Sequence, residues 1–495
     1  MEKQIWVKIF IPLVSLVLAI VPEAMAGLSL PAVISENAVL QRDLPLPIWG
    51  KADPGQTVSV EFAGQKKTAQ ADGNGKWRVT LDPMPASAQG REMQVQAGEQ
   101  IVRVGNLLIG DVWLGSGQSN MQFSLAQLHQ QKRIEADIAT ATNPMVRLFV
   151  CKTTSRLQGE VDTDGWKVSS PSDVMESSAV AYFFAQEVVR DQKVPVGVIT
   201  SAWGGTRIEL WTPSEAAKSS AAYKEAEVRG SLVTIDGLIV GMTYDRMIRP
   251  LVPYALRGVL WYQGESNILG GDKPSRFMEK TELLMACWRK AWGHEDLPFY
   301  SVQLAPYRYS QAHSPAQKGS ISPDILPAYQ DVQRRLLSVP HTGMAVITDL
   351  VANTGDVHPV NKWDVGKRLW LLAAVNCYGK KGIESSGPLF KTLQIRDGKA
   401  IVSFDHTGGG LVANKGEPLR YFEICGEDGQ YRPAHAEIKA DGVVVSEPTV
   451  TRPVAVRYAW DEAISSPSLY NKEGLPASPF CSKSTAVSEK PNSTR

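Results

Sequence analysis

The chain has 495 residues, which is too long for one ordinary hydrophobic core and predicts two or three domains. Its 43% hydrophobic and 21% charged residues are typical of a packed globular protein and argue against general disorder. Its 52 basic and 51 acidic residues leave a formal net charge of +1, so no global electrostatic field would attract nucleic acid or an anionic membrane.

The first 26 residues have the pattern of a secretory signal peptide. Lys3 and Lys8 precede an apolar run over 9–21, and the sequence Ala-Met-Ala that ends at Ala26 supplies the small residues of a cleavage site. The alternative is a membrane anchor, but the run is shorter than the about 20 residues that a spanning helix needs. We therefore predict cleavage before Gly27, no anchor in the mature chain, and a periplasmic or secreted location.

The remaining chain divides into segments of different periodicity. Residues 27–104 alternate polar and apolar side chains between glycine-rich turns, which predicts an N-terminal β-sandwich-like domain. Residues 105–386 alternate short apolar strands with amphipathic helices, which predicts an α/β domain. Residues 387–482 lose the helical periodicity and predict a C-terminal β-rich unit, which a polar tail over 483–495 follows.

The middle segment predicts an α/β fold with a doubly wound, mostly parallel sheet that helices cover on both faces. The predicted strands are 108–114, 146–150, 196–201, 257–262, 299–304 and 344–348. The predicted helices are 179–190, 277–292, 329–337 and 365–378. Since ligands bind at the carboxyl ends of the strands in such sheets, we expect the reactive residues in the loops that follow these strands.

Ser119 lies in the loop after the first of these strands. It follows the small turn at 115–117 and precedes a segment that can open a helix. Its hydroxyl would then project above the sheet edge, where the N–H groups of a helix start can stabilise an oxyanion. The alternative is a serine that caps the helix, which is the more common role of a serine in such a tetrapeptide.

Two further loops follow predicted strands and supply hydrogen-bond donors. One contains the adjacent glycines Gly204 and Gly205, whose N–H groups can approach a ligand closely because no side chain intervenes. The other contains Gln263 and Asn267, whose side-chain amides are donors. Each loop alone is compatible with an ordinary turn. Several polar, glycine-rich loops at one sheet edge together indicate the donor-lined site that acyl transfer needs.

A nucleophilic serine needs a base, and the sequence contains seven histidines. His358 alone lies in a loop after a predicted core strand beside a carboxylate, that of Asp356. The rival pair of Asp405 and His406 ends a C-terminal strand before a glycine-rich stretch, where a solvated turn explains it. The sequence therefore predicts His358 as the base.

At these positions the chain resembles the SGNH (GDSL-like) hydrolases, and most closely their bacterial sialate O-acetylesterase branch. The shared stretches in the middle segment are 117–121, 203–206, 257–267 and 358–362. Further shared stretches towards the C-terminus are 426–429, 453–460 and 471–480. The resemblance thus covers nearly the whole mature chain, and it implies a flavodoxin-like three-layer catalytic domain over 105–386.

The resemblance also implies a role for individual residues. It makes Ser119 the nucleophile and His358 the base of the reaction. The implied oxyanion hole combines backbone N–H groups with side chains, drawn from Ser119, Gly204, Gly205, Gln263, Glu265 and Asn267.

The chain departs from the SGNH pattern beside the predicted base. That pattern has an aspartate three residues before the histidine, where this chain has Gly355. The nearest carboxylate, Asp356, lies two residues before His358. Either Asp356 orients the imidazole, or a backbone carbonyl does so in a Ser–His dyad.

Several residues near the predicted site are candidates for substrate binding. Those are Trp203, Trp211, Tyr307, Arg207 and Glu265. Aromatic rings stack on sugars, although a tryptophan at a sheet end is at least as often part of the core. Arg207 can pair with a substrate carboxylate, which sialic acid has and xylan lacks, or it can pair structurally with Glu209 or Glu265.

The implied activity is the hydrolysis of acetyl esters on an O-acetylated glycan, most closely a sialic acid, by two-step acyl transfer without metal or organic cofactor. One alternative is an acetylesterase for a neutral plant polysaccharide such as xylan. A second alternative is a non-catalytic glycan-binding protein, because the flanking segments are rich in predicted strands. A serine and a histidine on separate loops favour the catalytic interpretation.

Overall fold

A computed structural model describes the chain over residues 27–128, 131–153, 159–312, 321–440 and 442–483. The predicted signal peptide and the tail beyond residue 483 lie outside the described residues. Within the described ranges, no helix combines the length and the apolar character that crossing a membrane requires.

The N-terminal segment forms short strands, most of which pair antiparallel. The strands are β1 (Val39–Gln41), β2 (Leu46–Lys51), β3 (Thr57–Phe62), β4 (Gln65–Gln70), β5 (Lys76–Leu81) and β6 (Ser87–Ala97). β2 pairs with β5, and β3 pairs with both β4 and β6. In β3 the side chains of Val58, Val60 and Phe62 are buried while their neighbours are exposed, because successive residues of a strand point to opposite faces.

A single strand joins this segment to the central sheet. Strand β7 (Gln100–Gly117) is 18 residues long. Its first part pairs antiparallel with β6, and its last part lies between two parallel neighbours of the central sheet. The expected domain boundary after residue 104 therefore falls inside a continuous strand, which runs on past the exposed Asn106 although that residue has a φ of +53°.

The central sheet confirms the prediction of a mixed α/β protein. Its next strands in the chain are β8 (Asn143–Val150), β9 (Trp166–Ser169) and β10 (Val196–Ala202). A separate antiparallel sheet then contains β11 (Glu227–Arg229), β12 (Leu232–Ile235) and β13 (Leu238–Ile239). The central sheet continues with β14 (Gly258–Tyr262), β15 (Phe299–Val302) and β16 (Thr342–Ala345). Parallel strands follow the order β8-β10-β7-β14-β15-β16, and β9 adds an antiparallel edge next to β8.

Helices connect these strands. They are α1 (Ser119–Gln122), α2 (Lys132–Ala139), α3 (Ala179–Gln192), α4 (Ser214–Lys218), α5 (Glu265–Leu269), α6 (Pro274–Trp292), α7 (Ile325–Arg335) and α8 (Lys362–Asn376). Successive side chains of β7 enter two different hydrophobic cores. Val112 and Leu114 share one core with Trp288 of α6, whereas Trp113 packs its ring 4.8 Å from that of Phe184 of α3 in the other.

The C-terminal segment consists mainly of short strands. They are β17 (Leu389–Arg396), β18 (Lys399–Asp405), β19 (Leu411–Ala413), β20 (Phe422–Gly426), β21 (Tyr431–Pro433), β22 (His435–Lys439), β23 (Gly442–Ser446), β24 (Pro453–Tyr458), β25 (Leu469–Asn471) and β26 (Phe480–Cys481). Two of their sheets have the orders β17-β18-β23-β22 and β21-β20-β24-β26. A hydrogen bond of 2.7 Å from Gln303 Nε2 to Ser478 Oγ fastens this segment to the loop after β15.

Candidate active site

The end of β7 places Ser119 at the edge of the central sheet. Gly117 lies between Ala202 and Tyr262 of the two neighbouring strands. Its φ of +134° is in the region that favours glycine, and a Cβ atom on it would lie 2.1 Å from the Tyr262 carbonyl oxygen. Only glycine therefore fits where β7 turns into α1, which starts at Ser119.

Ser119 and His358 meet although 239 residues separate them. The Ser119 Oγ lies 2.8 Å from His358 Nε2, which is hydrogen-bond distance. The N-cap residue of α1 is Gln118 rather than Ser119, so the hydroxyl of Ser119 serves His358 and not the helix end. Burial lowers the pKa of His358, and Lys362 lowers it further, whereas Asp356 opposes both. The neutral imidazole that a general base requires is thereby favoured.

Asp356 contacts His358 mainly through the backbone. Its Oδ1 accepts a hydrogen bond of 2.9 Å from the His358 backbone N–H. The same oxygen lies 3.7 Å from His358 Nδ1, and the Asp356 side chain is 57% exposed. Among the described residues, Nδ1 has no hydrogen-bond acceptor. Asp356 therefore acts on the imidazole through a turn and a solvent-screened charge rather than through a direct bond.

The glycine loop after β10 lies next to the serine. A Cβ atom on Gly204 would be 3.4 Å from Ser119 Cβ, so the two backbones approach closely. The Gly204 N–H donates a hydrogen bond of 2.7 Å to Gln122 Oε1, a partner that the sequence did not suggest. Gly205 is exposed and has a φ of +73°. Of the expected oxyanion donors, Ser119 and Gly204 are thus side by side.

Gln263 and Asn267 lie beneath the site instead of facing it. Both side chains are fully buried. Gln263 Nε2 donates to Asn267 Oδ1 at 2.7 Å and to the Thr206 carbonyl at 3.2 Å. Asn267 Nδ2 donates to Glu209 Oε2 at 3.0 Å. The geometry does not place these amides as oxyanion donors, because their N–H groups are used to join the loops after β10 and β14.

Arg207 pairs with carboxylates of the protein, which is the structural one of its two expected roles. Its Nη2 lies 2.5 Å from Glu209 Oε1, and its Nη1 lies 2.7 Å from Asp236 Oδ2. Glu209 also accepts a hydrogen bond of 2.8 Å from Lys280 Nζ. Burial would raise the pKa of Glu209, but Lys280 and Arg207 hold it below its ordinary value. The Arg207 guanidinium is therefore committed to protein carboxylates.

The expected aromatic residues differ in their exposure. Trp211 is fully buried, and its indole N–H donates to Thr206 Oγ1 at 2.9 Å, so it belongs to the core. Trp203 and Tyr307 are half-buried and flank the core. Tyr307 makes an edge contact with Tyr309 at 4.9 Å between ring centroids. Trp203 and Tyr307 thus keep accessible surface for a sugar.

A buried polar cluster that the sequence reasoning missed lies directly behind Ser119. Its members are Asn120, Glu265 and Lys362, all nearly or fully buried. Asn120 Nδ2 donates to Glu265 Oε1 at 2.6 Å and to the Val357 carbonyl at 2.9 Å. Asn120 Oδ1 accepts a hydrogen bond of 2.6 Å from Lys362 Nζ. Glu265, expected at the substrate, therefore belongs to this interior cluster.

Comparisons with known proteins agree with this geometry. The family described as carbohydrate esterase, sialic acid-specific acetylesterase matches residues 109–361, which include both Ser119 and His358. The chain belongs to this family. Membership makes it a carboxylic-ester hydrolase, and decides against the alternative of a non-catalytic glycan-binding protein.

Relatives of this esterase cover almost the whole chain. A sialate O-acetylesterase of Pongo abelii is 30% identical over 92% of both chains, and one of Homo sapiens is 29% identical over the same shares. A solved structure of a carbohydrate acetylesterase from Xanthomonas citri is 34% identical, with a TM-score of 0.81 over 92% of this chain and 99% of the other. The similarity therefore extends through the N- and C-terminal β segments as well as the esterase domain.

Proposed function

We propose that the chain is a sialate O-acetylesterase that forms an acetyl-enzyme on Ser119. The observation that carries the proposal is the 2.8 Å contact between Ser119 Oγ and His358 Nε2 at the carboxyl edge of the parallel sheet. Its family and its relatives over 92% of the chain support the acetyl ester and the sialic acid.

The reaction begins with proton transfer within the Ser119–His358 pair. His358 Nε2 takes the hydroxyl proton as Ser119 Oγ attacks the acetyl carbonyl carbon, and the carbonyl oxygen becomes an oxyanion. The backbone N–H groups of Ser119 and Gly204 stabilise this oxyanion. The Gly204 N–H leaves Gln122 Oε1 in order to donate to the oxyanion.

The two products leave in separate steps. When the tetrahedral intermediate collapses, the bond to the sugar oxygen breaks, and the imidazolium of His358 returns its proton to that oxygen. Water then attacks the acetyl-enzyme while His358 accepts its proton. Collapse then breaks the bond between the acyl carbon and Ser119 Oγ, which takes the proton back from His358, and acetate is released. Every step is served by side chains and backbone groups of this chain, so the scheme requires no metal or organic cofactor.

We infer that residues 105–386 adopt the SGNH three-layer fold, between an N-terminal β domain over 27–104 and a C-terminal β unit over 387–482. The parallel sheet with a hydrophobic core shared with α3 on one side and with α6 on the other supports this. The signal-like sequence before Gly27 supports export to the periplasm or beyond.

We further infer that Arg308, and not Arg207, binds the carboxylate of sialic acid. Arg308 is exposed in the loop after β15. Its backbone N–H donates to the Thr354 carbonyl at 3.0 Å, and its Nε donates to Thr354 Oγ1 at 3.2 Å. Thr354 is four residues before His358, so the guanidinium lies on the loop that carries the base. Within the described part of the chain its terminal nitrogens have no carboxylate partner.

Acetate release tests the proposed substrate. Purified enzyme should release acetate from O-acetylated sialic acid faster than from acetylated xylan, and Ser119→Ala should abolish both activities. Preference for xylan would favour the neutral-polysaccharide alternative, for which the commitment of Arg207 to Glu209 and Asp236 is the supporting observation.

The methyl ester of O-acetylated sialic acid tests the carboxylate site. Arg308→Gln should raise KM for the acid about 10- to 100-fold, because one hydrogen bond to a charged group is worth about 1.5–3 kcal/mol. The variant should leave KM for the methyl ester, which carries no charge, unchanged. Equal effects on acid and ester would exclude carboxylate binding by Arg308.

A further inference from the structure

Lys362 is a buried cation close to the base of the reaction. Its side chain is 0% exposed, and it is the first residue of α8. The ammonium lies 5.0 Å from the ring centroid of Phe123 and 5.4 Å from that of Tyr262. Burial lowers the pKa of Lys362 to about 7, against the opposing effect of Glu265. Because burying an ammonium is costly, an apolar side chain of similar length would fill this space at a lower cost.

The Lys362 ammonium fixes which way the Asn120 carboxamide points. An ammonium can only donate hydrogen bonds, so the oxygen of the carboxamide must face Lys362 Nζ, 2.6 Å away. The nitrogen must then face the opposite side, where the two acceptors are the Val357 carbonyl and Glu265 Oε1. Without the ammonium, the Asn120 carboxamide oxygen loses its hydrogen-bond donor, and only the Val357 carbonyl and Glu265 Oε1 still hold the nitrogen side.

The orientation of Asn120 matters because of its neighbours in the chain. Asn120 follows Ser119, and Val357 precedes His358. Two neighbouring hydrogen bonds therefore join the same two segments. One links Ser119 Oγ with His358 Nε2, and the other runs from Asn120 Nδ2 to the Val357 carbonyl. The first bond must break and re-form during the reaction, whereas no step of the reaction involves the second.

Charged groups also couple this cluster to the base. The charge of Lys362 lowers the pKa of His358, and the charge of Asp356 raises it. The charges of Glu265 and Asp356 both raise the pKa of Lys362. Burial raises the pKa of Glu265, which has one oxygen without a hydrogen-bond partner among the described residues. Lys362 is thus a cation that lowers the pKa of His358, and it favours the neutral imidazole.

We propose that Lys362 is a positioning residue for hydrolysis, which through the Asn120 carboxamide holds the backbone of the His358 loop against the helix that carries Ser119. The inference rests on the proposed role of Ser119 and His358. Reacting groups tolerate little displacement, since a shift of about 1 Å can cost about 10²-fold in rate. Lys362 touches neither the substrate nor the reacting atoms, so its effect should fall on kcat.

The test replaces the ammonium and retains the length of the side chain. Lys362→Met should lower kcat for an activated acetate ester about 10- to 100-fold, and change KM less than about twofold. The acid limb of kcat/KM should also move to higher pH, because the charge that lowers the pKa of His358 is gone. Lys367→Met, on the exposed face of α8, is the matched control and should behave as wild type.

Rates are expressed per active site, titrated with a phosphonate that reacts with Ser119, so that a partly folded preparation does not imitate a slow enzyme. If Lys362→Met does not fold, Lys362→Gln is measured in the same way. Asn120→Ala and the double variant with Lys362→Met complete a cycle, in which the double variant should lose little more than the worse single variant.

Two outcomes overturn the inference. One is a kcat for Lys362→Met within twofold of wild type with an unchanged pH profile. The other is a double variant whose losses simply multiply, which would mean that Lys362 and Asn120 act independently. A wild-type enzyme without activity on any acetate ester would instead refute the proposed function, so the two failures are distinguishable.

Discussion

Asp356→Asn distinguishes a catalytic triad from a dyad in this enzyme. The substitution removes the negative charge 3.7 Å from His358 Nδ1. It retains an oxygen that can accept the His358 backbone N–H, which Asp356 Oδ1 does at 2.9 Å. The backbone turn is therefore preserved, and only the electrostatic contribution of the carboxylate is lost.

The expected loss is small because the carboxylate is exposed and distant. An ion pair in contact with solvent is worth about 0.2–1 kcal/mol. Since 1.36 kcal/mol corresponds to tenfold in rate, Asp356→Asn should lower kcat/KM about 1.5- to 5-fold. Removal of the carboxylate from a buried triad, as in chymotrypsin-like proteases, costs about 10⁴-fold. The two possibilities thus differ by about three orders of magnitude.

The pH profile gives a second, independent expectation. Asp356 raises the pKa of His358, while burial and Lys362 lower it. Removing the charge of Asp356 should therefore move the acid limb of kcat/KM to lower pH, the opposite direction from Lys362→Met.

The assay is hydrolysis of an activated acetate ester from pH 4 to 9, with Asp356→Ala as a comparison that also removes the acceptor of the turn. Asp356→Ala should lose more activity than Asp356→Asn. A loss of 10²-fold or more for Asp356→Asn would refute the hypothesis of a Ser119–His358 dyad. It would show that the carboxylate binds His358 Nδ1 during the reaction.

Four further results are expected. Ser119→Ala should lower kcat at least about 10³-fold in the same assay with unchanged circular dichroism, and near-normal turnover would eliminate Ser119 as nucleophile. In the wild type, the acid limb of kcat/KM should lie below pH 6.5, because the pKa of His358 is lowered and only the neutral imidazole is active; a limb above 6.5 would contradict this. Gly117→Ala should destabilise the fold in urea by more than about 2 kcal/mol, whereas Gly205→Ala, where a Cβ meets open space, should cost about 1 kcal/mol. Glu209→Gln should lower the free energy of unfolding by about 1–3 kcal/mol, because Arg207 and Lys280 lose their shared buried charge but keep Asp236 and Asp272; no measurable loss would show that the cluster is solvated.

The positions of the strands, and the proximity of Ser119 and His358, could be predicted from the sequence. Short apolar runs bounded by glycine-rich turns placed the strands of the parallel sheet to within a few residues. Ser119 and His358 each follow such a run, and parallel strands bring their carboxyl ends to one edge. These conclusions depend on local periodicity, which a single sequence contains.

The partners of the polar side chains could not be predicted in this way. The apolar periodicity predicts helix α8 only from residue 365 and leaves Lys362 in the preceding loop, but Asn361 caps the helix and Lys362 is buried within its first turn. Residue type alone leaves two roles open for Arg207, a substrate carboxylate or a structural pair with Glu209 or Glu265, and it suggests Asn267 as an oxyanion donor. The fold pairs both side chains with Glu209.

The amino-acid sequence by itself thus determined the α/β pattern, the esterase family and the serine–histidine pair, since each is written in a contiguous stretch or in the spacing of apolar residues. Only the tertiary structure decided how Asp356 contacts His358, which of the polar side chains are buried, and that Asn120 bonds to both Val357 and Lys362. The physical reason is that burial and hydrogen-bond partnership depend on residues up to 242 positions apart. No local pattern specifies which donor meets which acceptor across that separation.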